Sequence, residues 1–165
     1  EFESMRLPNW LTERLIAFAM RRIWQTSPDQ VIGGADAPYL LRRFVIPRNR
    51  WFNVYLHTIQ RSDDDRALHD HPWLFNASII LCGAYDEVTE HEGVQARAMR
   101  IAGDLVFRGA SAHRLEVVRG PVWTLFVTGP RVREWGFICP RGWVHWRKFT
   151  DPTDSGKIGP GCGEP

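Results

Sequence analysis

Long apolar runs are missing from this chain. No stretch approaches the roughly 20 consecutive apolar residues that a membrane span needs, and no basic segment followed by an apolar one opens it as a secretory leader would. The expectation is a cytoplasmic protein with no membrane contact. Cysteine is scarce: Cys82, Cys139 and Cys162 are odd in number, far apart and form no Cys-x-x-Cys. That pattern argues for reduced thiols rather than a disulfide framework, with Cys82 and Cys139 in the core and Cys162, in GPGCGEP, exposed on a mobile tail. Charge of one sign is lacking too. The 21 Lys and Arg face 19 Asp and Glu, a formal net charge of +2, and the basic residues are scattered in sequence, so no nucleic-acid footprint is present. There is no internal repeat.

What remains is 165 residues of 44% apolar content, enough for one domain with a real core. Residues 1–4 precede Met5 and are expected to be a cloning remnant outside the fold. Over Asn9–Gln25 the residues Leu11, Leu15, Phe18 and Ile23 recur at helical spacing, with Asn9 placed to cap the first turn after Pro8. This predicts an amphipathic helix covering the outside of the domain, its Met, Trp and Phe residues used for packing. Residues 26–38, with Pro28, Gly33-Gly34 and Pro38, read as a loop.

Beyond residue 38 the helical period gives way to short β-branched and aromatic runs. Segments 39–46 and 51–59 form a hairpin across Pro47-Arg48-Asn49-Arg50. Further strands are expected at 73–81, 84–90, 94–101, 105–108, 113–118, 122–128, 134–138 and 143–149. Such spacing with Gly and Pro punctuation marks an antiparallel sandwich or barrel. Residues 61–66 hold three consecutive aspartates, without the spaced ligands and glycine of an EF-hand, and read as a solvated loop. The organisation predicted is a helix and connection over 1–38, a barrel over 39–149, and a polar, Gly- and Pro-rich tail over 150–165 that lies on the surface or is disordered.

The chemistry concentrates in ALHDHPWLFNASIILCG. His69 and His71 lie two apart on a strand, so their side chains leave one face with Cα atoms roughly 6.5 Å apart and both rings can lean onto one ion at about 2.1 Å. His113 follows in GDLVFRGASAHRLEV, where Gly103-Asp104 makes a turn and a new strand brings the ring back. The expectation is a divalent metal held by His69, His71 and His113. Trp73, two residues after His71, is placed to wall the metal pocket. Tyr55 and His57 share one face of their strand and Val54 and Leu56 the other, and alternation alone does not say which face is inward. His57 is a candidate acid or base. Asp70 points away from its histidine neighbours and is expected to fix a loop or a ligand's orientation. His91 is read as surface, and His145 as a weaker candidate.

HDHPW with Gly83 downstream, then Gly103-Asp104 with His113 downstream, resembles the two sequence motifs of the cupin superfamily over residues 39–149. The resemblance implies an all-β, antiparallel jelly-roll barrel with the amphipathic helix packed outside. Cupins commonly add a glutamate three or four residues past their second histidine; Leu74 and Phe75 stand there, with Asn76 next. The chain therefore looks more like the three-histidine cupins, notably the cysteine dioxygenase type, whose first motif also reads HDH and ends in a glycine followed by a short stretch with a glutamate, as Gly83 to Glu87 does. That implies an iron(II) oxygenase acting on a small polar or anionic molecule. In the thiol dioxygenases an arginine in a strand before the histidine motif grips the substrate carboxylate. Arg42 and Arg43 occupy a comparable place, and being adjacent, at most one points inward. Those enzymes also carry a crosslinking cysteine where Asn76 stands, so no crosslink is expected. Imidazole donors alone suit zinc, copper and nickel as well as iron, and manganese cupins exist. Two other readings stay open: a non-catalytic module that holds a metal or ligand, and a zinc or manganese isomerase or hydrolase. Cupins often pair through outer strands, and segment 39–46 offers an apolar edge for a homodimer.

Overall fold

In a computed structural model, residues 5–63 and 67–163 are described. The proposed remnant 1–4 and part of the aspartate loop, 64–66, lie outside them. Helix α1 (Asn9–Gln25) takes the expected bounds, but Pro8 occupies the N-cap position and Asn9 makes no side-chain cap. Instead the amides of Leu11 and Thr12 both donate to the Pro8 carbonyl. Leu15, Ile16, Phe18, Ala19 and Ile23 pack against Leu56, Leu81 and Leu125 of the sheet, which sets the helix on its outer face. Trp10 and Trp24 do not pack as expected: they are 62% and 82% exposed.

The strands are β1 (Met5–Arg6), β2 (Gln30–Ile32), β3 (Leu40–Phe44), β4 (Asn53–Ile59), β5 (Leu68–His69), β6 (Asn76–His91), β7 (Val94–Ile101), β8 (Asp104–Arg108), β9 (His113–Thr128), β10 (Gly136–Cys139) and β11 (Gly142–His145), with a helical turn α2 (Trp146–Phe149) after them. Their pairings are antiparallel, and the main path runs β1-β8-β6-β9-β4-β3-β2, with β7 on β6 and β5 joining β9 to β10. This is the expected all-β antiparallel architecture with an external N-terminal helix. No helix among the described residues is long and apolar enough to cross a membrane.

Two pairs of expected strands are each one 16-residue strand, β6 and β9. They run through their glycines because both bend at the same place. The β6·β9 register shifts between Ile80 and Tyr85, and Gly83 sits there at φ +77° with any Cβ held 2.5 Å from the Arg119 carbonyl oxygen. Only glycine meets both conditions. The bend lets each long strand serve two parts of the sheet. One core, Leu40, Ile59, Ile80, Tyr85, Val106 and Val122, fills the inside.

Three expectations need correction. The 26–38 loop contains β2, which pairs along β3 from Gln30↔Arg42 to Ile32↔Leu40, so the proposed dimer edge is already covered. The last strand, 143–149, breaks at His145, whose Nδ1 accepts from Arg147 N and starts α2. The tail is folded: Cys139 and Cys162 form a disulfide, leaving Cys82 as the free thiol. Thr150 bridges Ile158, and the Gly33 amide donates to Asp154 Oδ1 at 3.4 Å. The cysteines' 23-residue separation hid a pairing that exists only because the tail folds back over β10.

Candidate metal centre

Strand β5 is short, but its two neighbours fix it. His69 stands directly opposite His113 on β9 and opposite Phe137 on β10, and opposed residues of antiparallel strands project from the same face. The regular strand ends at His69, and the chain is then steered by Asp70. Its carboxylate accepts from Gly136 N at 2.7 Å and Trp143 Nε1 at 3.3 Å, and Arg133 Nε donates to the His71 carbonyl at 2.8 Å. Asp70 thus turns away from the histidines, as expected, and holds the loop that aims His71.

The three imidazoles converge. Each pair of ring centroids is 5.1 Å apart, one nitrogen from each ring lies within 4.8 Å of the others, and His71 Nε2 is 3.0 Å from His113 Nε2. The rings meet at 55° to 88° rather than stacking, an arrangement that points lone pairs at one place. His113 Nδ1 lies 2.8 Å from Glu87 Oε1. A carboxylate there keeps the proton on Nδ1 and leaves Nε2 free to donate electrons into the cavity. Glu87 also accepts from Arg108 Nε and, at 2.9 Å, from Arg100 Nε. Arg108 continues to Ser78 Oγ at 3.1 Å and the Tyr85 hydroxyl at 3.3 Å.

Burial is the main influence on these groups. It brings the His113 pKa down to about 4, with Arg108 adding to the effect and Glu87 opposing it. His71 is held well below the ordinary histidine value by burial, then by His113 and His69. Burial pushes Glu87 upward, but the hydrogen bond from His113 and the charge of Arg108 outweigh it and keep the carboxylate ionised. Neutral, convergent imidazoles backed by an ionised carboxylate fit a divalent cation.

A cavity of about 570 Å³ opens beside the triad, within the usual range for small-molecule sites. Trp73 stacks on His71 at 5.3 Å and meets Phe126 at 5.5 Å, so it does wall the pocket. Tyr55 and His57 face inward, while Val54 and Leu56 pack under α1. His57 Nε2 accepts from Arg42 Nε at 2.9 Å, and burial, then Arg42, holds its pKa well below the ordinary value. Its lone pair is engaged, so it orients Arg42 instead of standing as a free base. Arg42 is the inward member of its pair. Arg43 is the site candidate the structure removes: it turns to the outer face, its Nε donating to the Thr26 carbonyl at 3.0 Å, because β3 alternates faces. His145 pairs with Glu134 at 3.1 Å away from the cavity, and His91 is exposed.

Sequence reading left Glu87 without a role and missed Arg108. Both face inward beside a buried neighbour two residues away on the same strand, Glu87 after Tyr85 on β6 and Arg108 after Val106 on β8, and alternation from those neighbours is the signal that could have marked them.

No family model and no curated protein sequence matches the chain. Solved structures of oxalate decarboxylase resemble it with a TM-score of 0.49: two from Bacillus subtilis, one used to assign the fine-structure parameters of that enzyme's Mn(II) centres and one at pH 4.6, each 17% identical, and one concerning proton-coupled electron transfer in oxalate decarboxylase, 14% identical. Each match covers 71% of this chain and 31% of the other. The chain thus spans about a third of the length of these proteins, and a likeness of this degree says nothing of its activity.

Proposed function

We propose that the protein is a mononuclear metal-dependent enzyme, an iron(II) oxygenase acting on a small polar or anionic molecule, with His69, His71 and His113 as the metal ligands. The observation that carries this reading is the meeting of three imidazole nitrogens within 4.8 Å at the wall of a cavity. Bound there, a divalent ion would keep its full positive charge against three neutral donors and supply a Lewis-acidic, redox-capable centre with open positions. The chain's own residues prepare the rest. Glu87 holds the His113 proton at Nδ1. Arg42, stacked 4.7 Å from the Tyr55 ring and fixed by His57, binds the anionic end of the substrate, so the reacting end is positioned rather than left to diffuse. Trp73 and Phe126 keep water off the body of the ligand.

The test is metal analysis of protein purified under metal-replete, reducing conditions, with oxygen uptake. Stoichiometric iron is expected, lost in His69→Ala and His113→Ala. Protein containing no metal would overturn the reading, whereas turnover that survives strict anaerobiosis would assign the metal to isomerisation or hydrolysis.

A further inference from the structure

The cavity has a second end, opposite the histidines. Arg42 of β3 and Arg48, Asn49 and Arg50 of the following loop line it. Arg42 donates from Nε to His57 and from Nη1 to Gln30 Oε1 at 3.3 Å, and its Nη2 has no partner among the described residues. None of the ion pairs among the described residues involves Arg42, Arg48 or Arg50. The one acidic residue on the described cavity wall is Asp63, and it belongs to the other end: its Oδ2 accepts from Leu115 N at 2.6 Å and lies 3.8 Å from His69 Nδ1. Arg48 lies 5.5 Å over the Phe44 ring, which meets Tyr55 at 5.8 Å, and Tyr55 lies under Arg42. Burial lowers the Arg42 pKa, and the charge of Arg48 lowers it further against the opposing effect of Tyr55, which places the two cations within reach of each other's field.

The loop that presents Arg48 is preformed. Asn49 Oδ1 accepts from the amides of Trp51 and Phe52 at 2.9 and 3.0 Å. Asn53 returns two bonds, its Oδ1 accepting from Asn49 N and its Nδ2 donating to Asn49 O. Between the two ends lies a flat apolar floor, Phe126, 5.1 Å from the His57 ring and 6.3 Å from the His71 ring.

We propose that the ligand is a small phosphate monoester, its phosphate taken between Arg42 and Arg48 and its flat or short apolar body laid over Phe126 toward the histidines. The proposal rests on reading this cavity as the substrate site. A carboxylate carries one charge and saturates one guanidinium in the bidentate mode, leaving the second cation unanswered. A phosphate monoester carries about −1.5 to −2 at pH 7 and three acceptor oxygens, enough for both.

Calorimetric titration of phenyl phosphate and of benzoate into the chelator-treated protein tests this without any contribution from a metal. Phenyl phosphate is expected to bind at least about tenfold tighter than benzoate, one charge-assisted hydrogen bond's worth. Arg48→Gln, an exposed loop change that leaves the fold intact, should abolish that preference and leave benzoate binding as it was. Equal or tighter benzoate binding, or an unchanged preference in Arg48→Gln, overturns the proposal. Metal content is measured on the same preparation before chelation. Metal without phosphate preference sinks the monoester alone, and phosphate preference without metal sinks the oxygenase alone.

Discussion

Glu87→Gln is the most informative single change in this molecule. Glutamine keeps the shape and still offers His113 Nδ1 an acceptor, so what is removed is one negative charge together with the acceptor oxygen that faces Arg100 Nε. Two guanidiniums depend on that charge, Arg100 and Arg108, each of which is paired with Glu87 and buried. Removing one partner of a buried ion pair costs about 3–5 kcal/mol, because the remaining charge stays desolvated. For a domain of this size about 1 kcal/mol corresponds to about 2–4 °C in Tm, so the variant should melt roughly 6–20 °C below the parent. Metal affinity should fall separately, by about 10- to 100-fold, since the oriented imidazole loses its anionic support. Circular dichroism melts of the metal-free protein read the first effect and competition with a chromophoric chelator the second. Adding Arg108→Met should recover part of the lost Tm by removing one stranded cation. A Glu87→Gln protein that melts with the parent and holds metal as tightly would refute the account of the buried network.

Two further outcomes follow from the same coordinates. The metal-free protein should lose stability in acid: His113 titrates at about 4 in the fold against an ordinary 6.5, so the unfolded chain takes the proton first. Stability is full above about pH 6.5 and falls by about 1.4 kcal/mol per pH unit down to about pH 4, about 3 kcal/mol for this residue alone. The depressed carboxyl of Glu87 acts in the same direction, its contribution being present above its unfolded value and lost as pH falls further. Urea midpoints that stay flat from pH 7 to pH 4.5 would contradict this. Gly83→Ala should cost at least about 2 kcal/mol, since alanine meets both an unfavourable positive φ and the backbone of Arg119; a denaturant midpoint within error of the parent would show that the two long strands do not need to cross there.

Much of this was readable from local pattern. The helix over Asn9–Gln25 and the strand Val94–Ile101 appear with the bounds their periodicity gives, and the His-x-His spacing with a returning His113 found the triad. What escaped has a common physical cause. The register shift near Gly83 changes which parity of β6 faces inward: Ser78 and Ile80 before it, Tyr85 and Glu87 after it. Strict alternation therefore could not carry the inward face as far as Glu87, nor connect it to Arg108. The disulfide is tertiary in origin, since it needs the tail to fold back over β10, whereas β2 is a local hairpin partner of β3 that the surrounding Pro28, Gly33-Gly34 and Pro38 masked. Arg42 and Arg43 were correctly limited to one inward member, but only the pairing of Arg42 with His57 across β3 and β4 decides which.

A single covalent thread, β9, bears His113 on one side of its bend and Phe126 on the other. The two positions are an odd number of residues apart, yet both rings face the same chamber, so the irregularity opposite Gly83 supplies the single-residue change of face that strict alternation forbids. A chamber built this way can be re-proportioned by sliding that bulge along its two long strands, without turning any of its walls inside out.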